Sequence, residues 1–180
     1  MNLPNKITLI RIFMIPFFVF FLLNKQIPYN DYYAATIFIL AALTDALDGY
    51  LARKNNLITN FGKFMDPLAD KLLVSSALIC FVSLNMIQAY IVIIIISREF
   101  IISGFRLIAS DNGIVISASY WGKVKTVAQM IMSVLLIFSF DNFILNILTQ
   151  IFIYLSLIFT IISLIDYIIK NKSVIFNGNI

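Results

Sequence analysis

Residues 72–97 read LLVSSALICFVSLNMIQAYIVIIIIS, 26 positions without a charge. As one helix this run would be about 39 Å long at 1.5 Å per residue, well beyond the ~30 Å hydrocarbon layer it would have to cross. Asn85 and Gln88 interrupt it, so two helices joined by a short polar turn are expected. A second run, residues 142–165, is uncharged from end to end and is the clearest single span. Working outward from these two stretches, apolar runs of about 20 residues fill the chain and predict spans at 7–23, 32–53, 62–83, 88–108, 120–140 and 144–169. The expected fold is all-α: an integral membrane bundle of six transmembrane helices, in one domain over residues 1–180.

Composition agrees. Of 180 residues, 61% are hydrophobic and 12% charged, against about 25% charged in soluble domains. Six spans leave no room for a separate soluble domain. There is no histidine and one cysteine, Cys80, inside an apolar run. A disulfide, a Cys/His zinc site and an imidazole base are therefore excluded, and any acid-base or metal chemistry must use oxygen ligands. The net charge of +4 comes from thirteen Lys/Arg scattered between apolar runs, which points to membrane orientation and anionic ligands, with no nucleic acid. With the N-terminus cytoplasmic, only Lys25 falls outside. The other twelve basic residues fall in inner loops or inner helix halves, as the positive-inside rule requires. Lys6 ahead of an apolar stretch resembles a signal peptide, but no small-x-small site follows residues 12–23, so this segment is expected to remain as the first span. There is no low-complexity segment, fixed-period repeat or Gly/Pro/Ser-rich linker.

Four of the nine acidic residues lie between the end of the second span and the start of the third: Asp45 and Asp48, then Asp66 and Asp70. Spacings of three and four put each pair on one helix face. Singly, each has a structural reading: Asp45 and Asp48 mark a helix end, Asp66 caps a helix with Pro67 at its first position, and Asp70 pairs with Lys71 or Lys63. Together, four anions at the edge of hydrocarbon would each carry a desolvation cost of several kcal/mol and need cations. Hard oxygen donors favour two Mg²⁺ or Mn²⁺ ions, which in turn hold phosphate-containing substrates. Gly49 and Ala52 leave room for a flat or phosphorylated ligand near the backbone, and Arg53 adds a guanidinium suited to phosphate oxygens. With no histidine available, a carboxylate must take any substrate proton, and Asp70, deeper in its span than Asp66, is the candidate.

The pattern D-x2-D-G-x2-A-R-x8-G-x3-D-x3-D, from Asp45 to Asp70, matches at all eight fixed positions and resembles the signature of the CDP-alcohol phosphotransferase family. The resemblance implies a six-helix membrane enzyme, usually a homodimer, with a cytoplasm-facing active site. Such an enzyme moves the phosphatidyl group of a CDP-linked lipid to an alcohol and releases CMP. Carried over by position, Asp45, Asp48 and Asp66 match metal ligands and Asp70 a ligand that is also the general base. Gly49, Ala52, Arg53 and Gly62 match nucleotide-contacting positions. Further stretches extend the likeness over most of the chain: Asn2 to Asn5 with Thr8 and Arg11, Asp66 to Leu73, Ser97 to Phe100 through Gly104, Arg106 and Leu107, Gly113 to Val115, and Gly122 to Thr126. They resemble the branch that makes phosphatidylglycerophosphate, implying CDP-diacylglycerol as donor and glycerol 3-phosphate as acceptor.

A basic cluster is the second candidate site. Arg98 lies within the fourth span and Arg106 eight residues on, nearly the same face; Lys123 and Lys125 follow at the mouth of the fifth. These four suit a phosphate monoester on the acceptor. The competing reading neutralises Arg98 with Glu99 or Asp166 and makes the lysines interface anchors. Asn5, Thr8 and Arg11 recur on one face of the first helix, either covering the active site or forming a solvated interfacial face. Thr126 and Gln129 are expected in the bundle interior and Trp121 at the membrane interface. Other readings make other demands: a membrane prenyltransferase needs a second Asp-rich motif in the other half of the bundle, where residues 126–180 hold only Asp141 and Asp166. A cation transporter needs acids spread through the membrane depth. Serine, inositol phosphate and phosphatidylglycerol remain open as acceptors on residue chemistry alone.

Overall fold

The computed structural model describes residues 3–54, 60–111, 119–138 and 142–171, and the side chains of residues 5–44, 65, 68–109, 119–138 and 142–171. These form six helices: α1 (Leu3–Leu23), α2 (Asn30–Lys54), α3 (Asn60–Ser83), α4 (Ala89–Asp111), α5 (Tyr120–Phe138) and α6 (Phe143–Lys170). They cluster in two compact units, Met1–Met86 with α1 to α3 and Ile87–Ile180 with α4 to α6.

Connections in the described loops are built from local hydrogen bonds. At the end of α3, Asn85 adopts φ 57°, Met86 N–H donates to Phe81 O and Asn85 N–H to Val82 O. This is a Schellman closure with asparagine in the left-handed position. The polar interruption in the uncharged run is thus the helix stop itself. Gln88 then caps α4 through its carbonyl, which accepts from Ile91 and Val92. At the start of α6, Asn142 Oδ1 accepts from Ile144 N–H at 2.9 Å, the side-chain N-cap that orphan amides need.

In the first unit, α1 packs on both α2 and α3. Phe18 and Phe38 meet at 5.5 Å between ring centroids, and Ala34, Ala35, Ala41, Ala69 and Ala77 are buried between the helices. Small residues let backbones approach where lipid supplies no hydrophobic driving force. In the second unit, α6 packs on α5 and α4 and is inverted relative to a helix in water. Its buried stripe is Ile153, Ser156, Thr160, Ser163 and Tyr167, whereas Phe143, Ile147, Ile151, Ile158, Ile165 and Ile169 are exposed. Apolar outside and small or polar inside is the arrangement hydrocarbon demands.

Among the described residues, three helices are long and apolar enough to cross a membrane: Asn5–Leu23, Tyr120–Phe138 and Phe143–Lys170. The chain is a multi-pass integral membrane protein. The expectation of six transmembrane helices holds for the number and place of the helices, and over the described residues three of the six meet the stricter requirement of length and hydropathy. α1 starts at Leu3 rather than residue 7, because Asn5, Thr8 and Arg11 continue its buried face.

Candidate functional site

The first part of the site belongs to the first unit. Asp45, Asp48, Gly49, Ala52 and Arg53 occupy the last turns of α2, and Gly62, Asp66 and Asp70 the first turns of α3. Residues 55–59 between them can span at most about 20 Å even when extended, so the two aspartate-bearing helix ends are neighbours. The side chains of Asp45, Asp48, Gly49, Ala52, Arg53, Gly62 and Asp66 lie outside the described residues, as do Gly113 to Val115. Asp70 is described and half-buried, next to the fully buried Ala69. Among the described residues no three His, Cys, Asp or Glu side chains form a metal-sized group; Asp70 is the one aspartate of the quartet that this covers.

α1 supplies what composition left undecided. Asn5, Thr8 and Arg11 are buried, Arg11 at 0% exposure, so the solvated interfacial reading of this face gives way to a packed one. Arg11 Nε donates to Thr44 Oγ1 at 3.4 Å, and that hydroxyl donates to Ala41 O. Thr44 immediately precedes Asp45. A fully buried guanidinium is thereby fixed against the residue that precedes the aspartate motif.

The second part belongs to the other unit. Arg98 is 8% exposed and Lys125 2%, and both converge on one carboxylate oxygen of Glu99. Arg98 Nη1 lies 2.9 Å from Glu99 Oε1, and Lys125 Nζ bonds the same atom. Glu99, not Asp166, therefore neutralises Arg98; Asp166 pairs instead with Lys170 at 2.8 Å. Arg106 is half-buried, and the Tyr167 hydroxyl of α6 lies in the field of Arg106 and Arg98. The Nε atoms of Arg98 and Arg106, Gln129 Nε2 and Ser156 Oγ are buried with no hydrogen-bond partner among the described residues. Such donors mark a place where a polar ligand or water completes the bonding.

Arg98, Lys125 and Arg106 thus share one unit and one polar interior, and Lys123 does not join them. Two residues apart on a helix means about 200° apart, and Lys123 is exposed while Lys125 is buried. Thr126 is likewise exposed and donates back to Gly122 O, a correction to its expected interior place; Gln129, one turn from Lys125, is buried as expected. Trp121 is part-exposed and stacks on Phe159. Sequence reading named Glu99 only as a partner of Arg98 and missed both its bond to Lys125 and the buried hydroxyl stripe of α6. The second was legible in the spacing of Ser156, Thr160, Ser163 and Tyr167, which recurs on one helical face.

The wider comparison extends this picture to both units. The family model for CDP-alcohol phosphatidyltransferase matches residues 1–162. The chain is 43% identical to the CDP-diacylglycerol--glycerol-3-phosphate 3-phosphatidyltransferase of Bacillus subtilis (strain 168), over 99% of each chain. It is 41% identical to the protein of that name from Haemophilus influenzae, covering 93% of this chain and 91% of the relative. A third, from Rickettsia felis, is 36% identical over 92% of this chain and 93% of the relative. A match that begins at residue 1 and runs well into α6 takes in both candidate sites, and the chain belongs to the CDP-alcohol phosphatidyltransferase family.

Proposed function

We infer that this protein transfers the phosphatidyl group of CDP-diacylglycerol to glycerol 3-phosphate, giving phosphatidylglycerophosphate and CMP. The carrying observation is likeness over the whole length to transferases of that name, on a chain whose second unit holds a buried cation cluster suited to a phosphate-bearing acceptor.

The donor set fits divalent ions: Asp45, Asp48, Asp66 and Asp70 sit on two adjoining helix ends, without histidine or cysteine, and would hold two Mg²⁺ or Mn²⁺. The chemistry such ions would supply there is polarisation of the pyrophosphate and a lowered pKa at a nearby hydroxyl. Asp70 takes the proton of the acceptor hydroxyl, whose oxygen attacks the β-phosphorus of the donor. The bond from that phosphorus to the CMP oxygen breaks and CMP leaves. Gly49, Ala52, Arg53 and Gly62 form the nucleotide contact, with Asn5, Thr8 and Arg11 covering it from α1. Arg106, Lys125 and Arg98 take the acceptor's phosphate monoester through charge-assisted bonds, with Lys123 at the approach. The chain works as a single catalytic domain of six membrane-crossing helices, as a homodimer, with its N-terminus and active site cytoplasmic.

The test is purified protein with CDP-diacylglycerol and Mg²⁺, offered glycerol 3-phosphate, serine, inositol phosphate or phosphatidylglycerol in turn. CMP release with glycerol 3-phosphate alone is expected; release with another acceptor in its place overturns the assignment.

A further inference from the structure

Glu99 holds an unusual place in the cation cluster. It neighbours Arg98 in sequence, yet its carboxylate reaches across to α5. Two cations, one from α4 and one from α5, meet on a single one of its oxygens. That is how they would meet an oxygen of a phosphate. The remaining buried guanidinium nitrogens, Arg98 Nε and Arg106 Nε, have no partner among the described residues, so the site has donors for a larger anion than one carboxylate. A phosphate monoester, which carries about −1.5 to −2 at neutral pH, outweighs the single charge of the Glu99 carboxylate in the balance for these cations.

The chemistry of the reaction makes this balance matter. Transfer occurs at the acceptor's hydroxyl, so the lipid product leaves with the same monoester that the acceptor brought in. A pocket that gripped the monoester with no competing carboxylate would grip the product equally.

Resting on the acceptor-phosphate reading above, we propose that Glu99 is an internal stand-in for the substrate phosphate. Its carboxylate holds Arg98 and Lys125 in place between turnovers, competes with the incoming monoester for them, and so sets the affinity low enough for the product to leave. Glu99 is a positioning and affinity-setting residue; it does not touch the reacting atoms.

Glu99→Gln keeps the shape and removes the charge. In the full-length detergent-solubilised protein, glycerol 3-phosphate measured by calorimetry is expected to bind about tenfold tighter, the scale of one charge-assisted bond released from competition. Turnover should slow, with stronger inhibition by the phosphatidylglycerophosphate product. Glu99→Asp, which keeps the charge but shortens the reach, should fall between the two. Without the carboxylate, the buried Arg98 and Lys125 lose the ion pair they share, so the Glu99→Gln protein should unfold at a lower temperature. Glycerol 3-phosphate or inorganic phosphate should then raise its Tm by more than it raises that of the parent. A purely structural glutamate would give weaker acceptor binding and no larger phosphate shift, and either result overturns the proposal. Lys125→Met separates the two levels. If it leaves glycerol 3-phosphate affinity unchanged, the acceptor pocket itself is misassigned and the proposal falls with it. If it weakens binding while Glu99→Gln does not tighten it, the stand-in role alone fails.

Discussion

Asp70 lies in the third turn of α3, half-buried and beside the fully buried Ala69, which gives a carboxylate both a fixed position and an open side. Asp70→Asn keeps that shape but cannot take a proton, so CMP release should disappear while CDP-diacylglycerol binding persists, measured by equilibrium binding of the donor; retained turnover would remove the base from this position. Arg106 offers a buried Nε with no partner among the described residues. Arg106→Ala should raise KM for glycerol 3-phosphate ten- to a hundredfold, roughly the 1.5–3 kcal/mol of a bond to a charged group, and leave KM for the donor nearly unchanged. The residue scale is also where the sequence was least legible. Lys123 and Lys125 read as one basic pair, although helical periodicity alone places them on opposite faces. Arg11 read equally well as solvated or buried, because a charged side chain near a membrane end carries no mark of what packs on it. Only the antiparallel pairing of α1 with α2 settles that it sits against Thr44.

Helices were far more legible than their side-chain partners. α2 to α6 begin and end within three residues of the expected spans, since uncharged runs of about 20 residues are dictated by bilayer thickness. The turn inside the run 72–97 was signalled by Asn85, and the structure supplies the reason: asparagine tolerates the left-handed backbone that closes α3. Asn85→Gly should therefore leave thermal stability in detergent close to that of the parent. Asn85→Val should lower it by about 1–2 kcal/mol, the cost of forcing a side chain with a branched Cβ into that region; equal stability of the two variants would mean the left-handed turn is not required. The α6 stripe escaped notice for a different physical reason. In water a buried face is apolar, whereas in hydrocarbon serine and threonine satisfy themselves by donating to carbonyls of their own helix, as Thr160 does to Ser156 O and Ser163 to Thr160 O. Hydroxyls so satisfied pack like small residues.

At the scale of the whole molecule, the charge distribution makes a prediction that neither unit makes alone. With the N-terminus placed in the cytoplasm as proposed, twelve of the thirteen basic residues fall on the inner side and Lys25 is the exception, held in its loop by Asp31 at 2.6 Å. Moving that many Lys and Arg across a membrane is costly enough to fix one orientation during insertion. Cys80 is buried, so the parent should react poorly with a membrane-impermeant maleimide, and single cysteines placed elsewhere can be read against it. Lys25→Cys should label in intact cells. Lys170→Cys, at the far end of α6 where the side chain is 59% exposed, should label only after the membrane is opened. The reverse pattern would put the aspartate-bearing helix ends outside, away from the cytoplasm, where CDP-lipid and glycerol 3-phosphate would have to meet them. The inferred reaction would then lack access to its water-soluble substrate, whatever the residues of the site could do chemically.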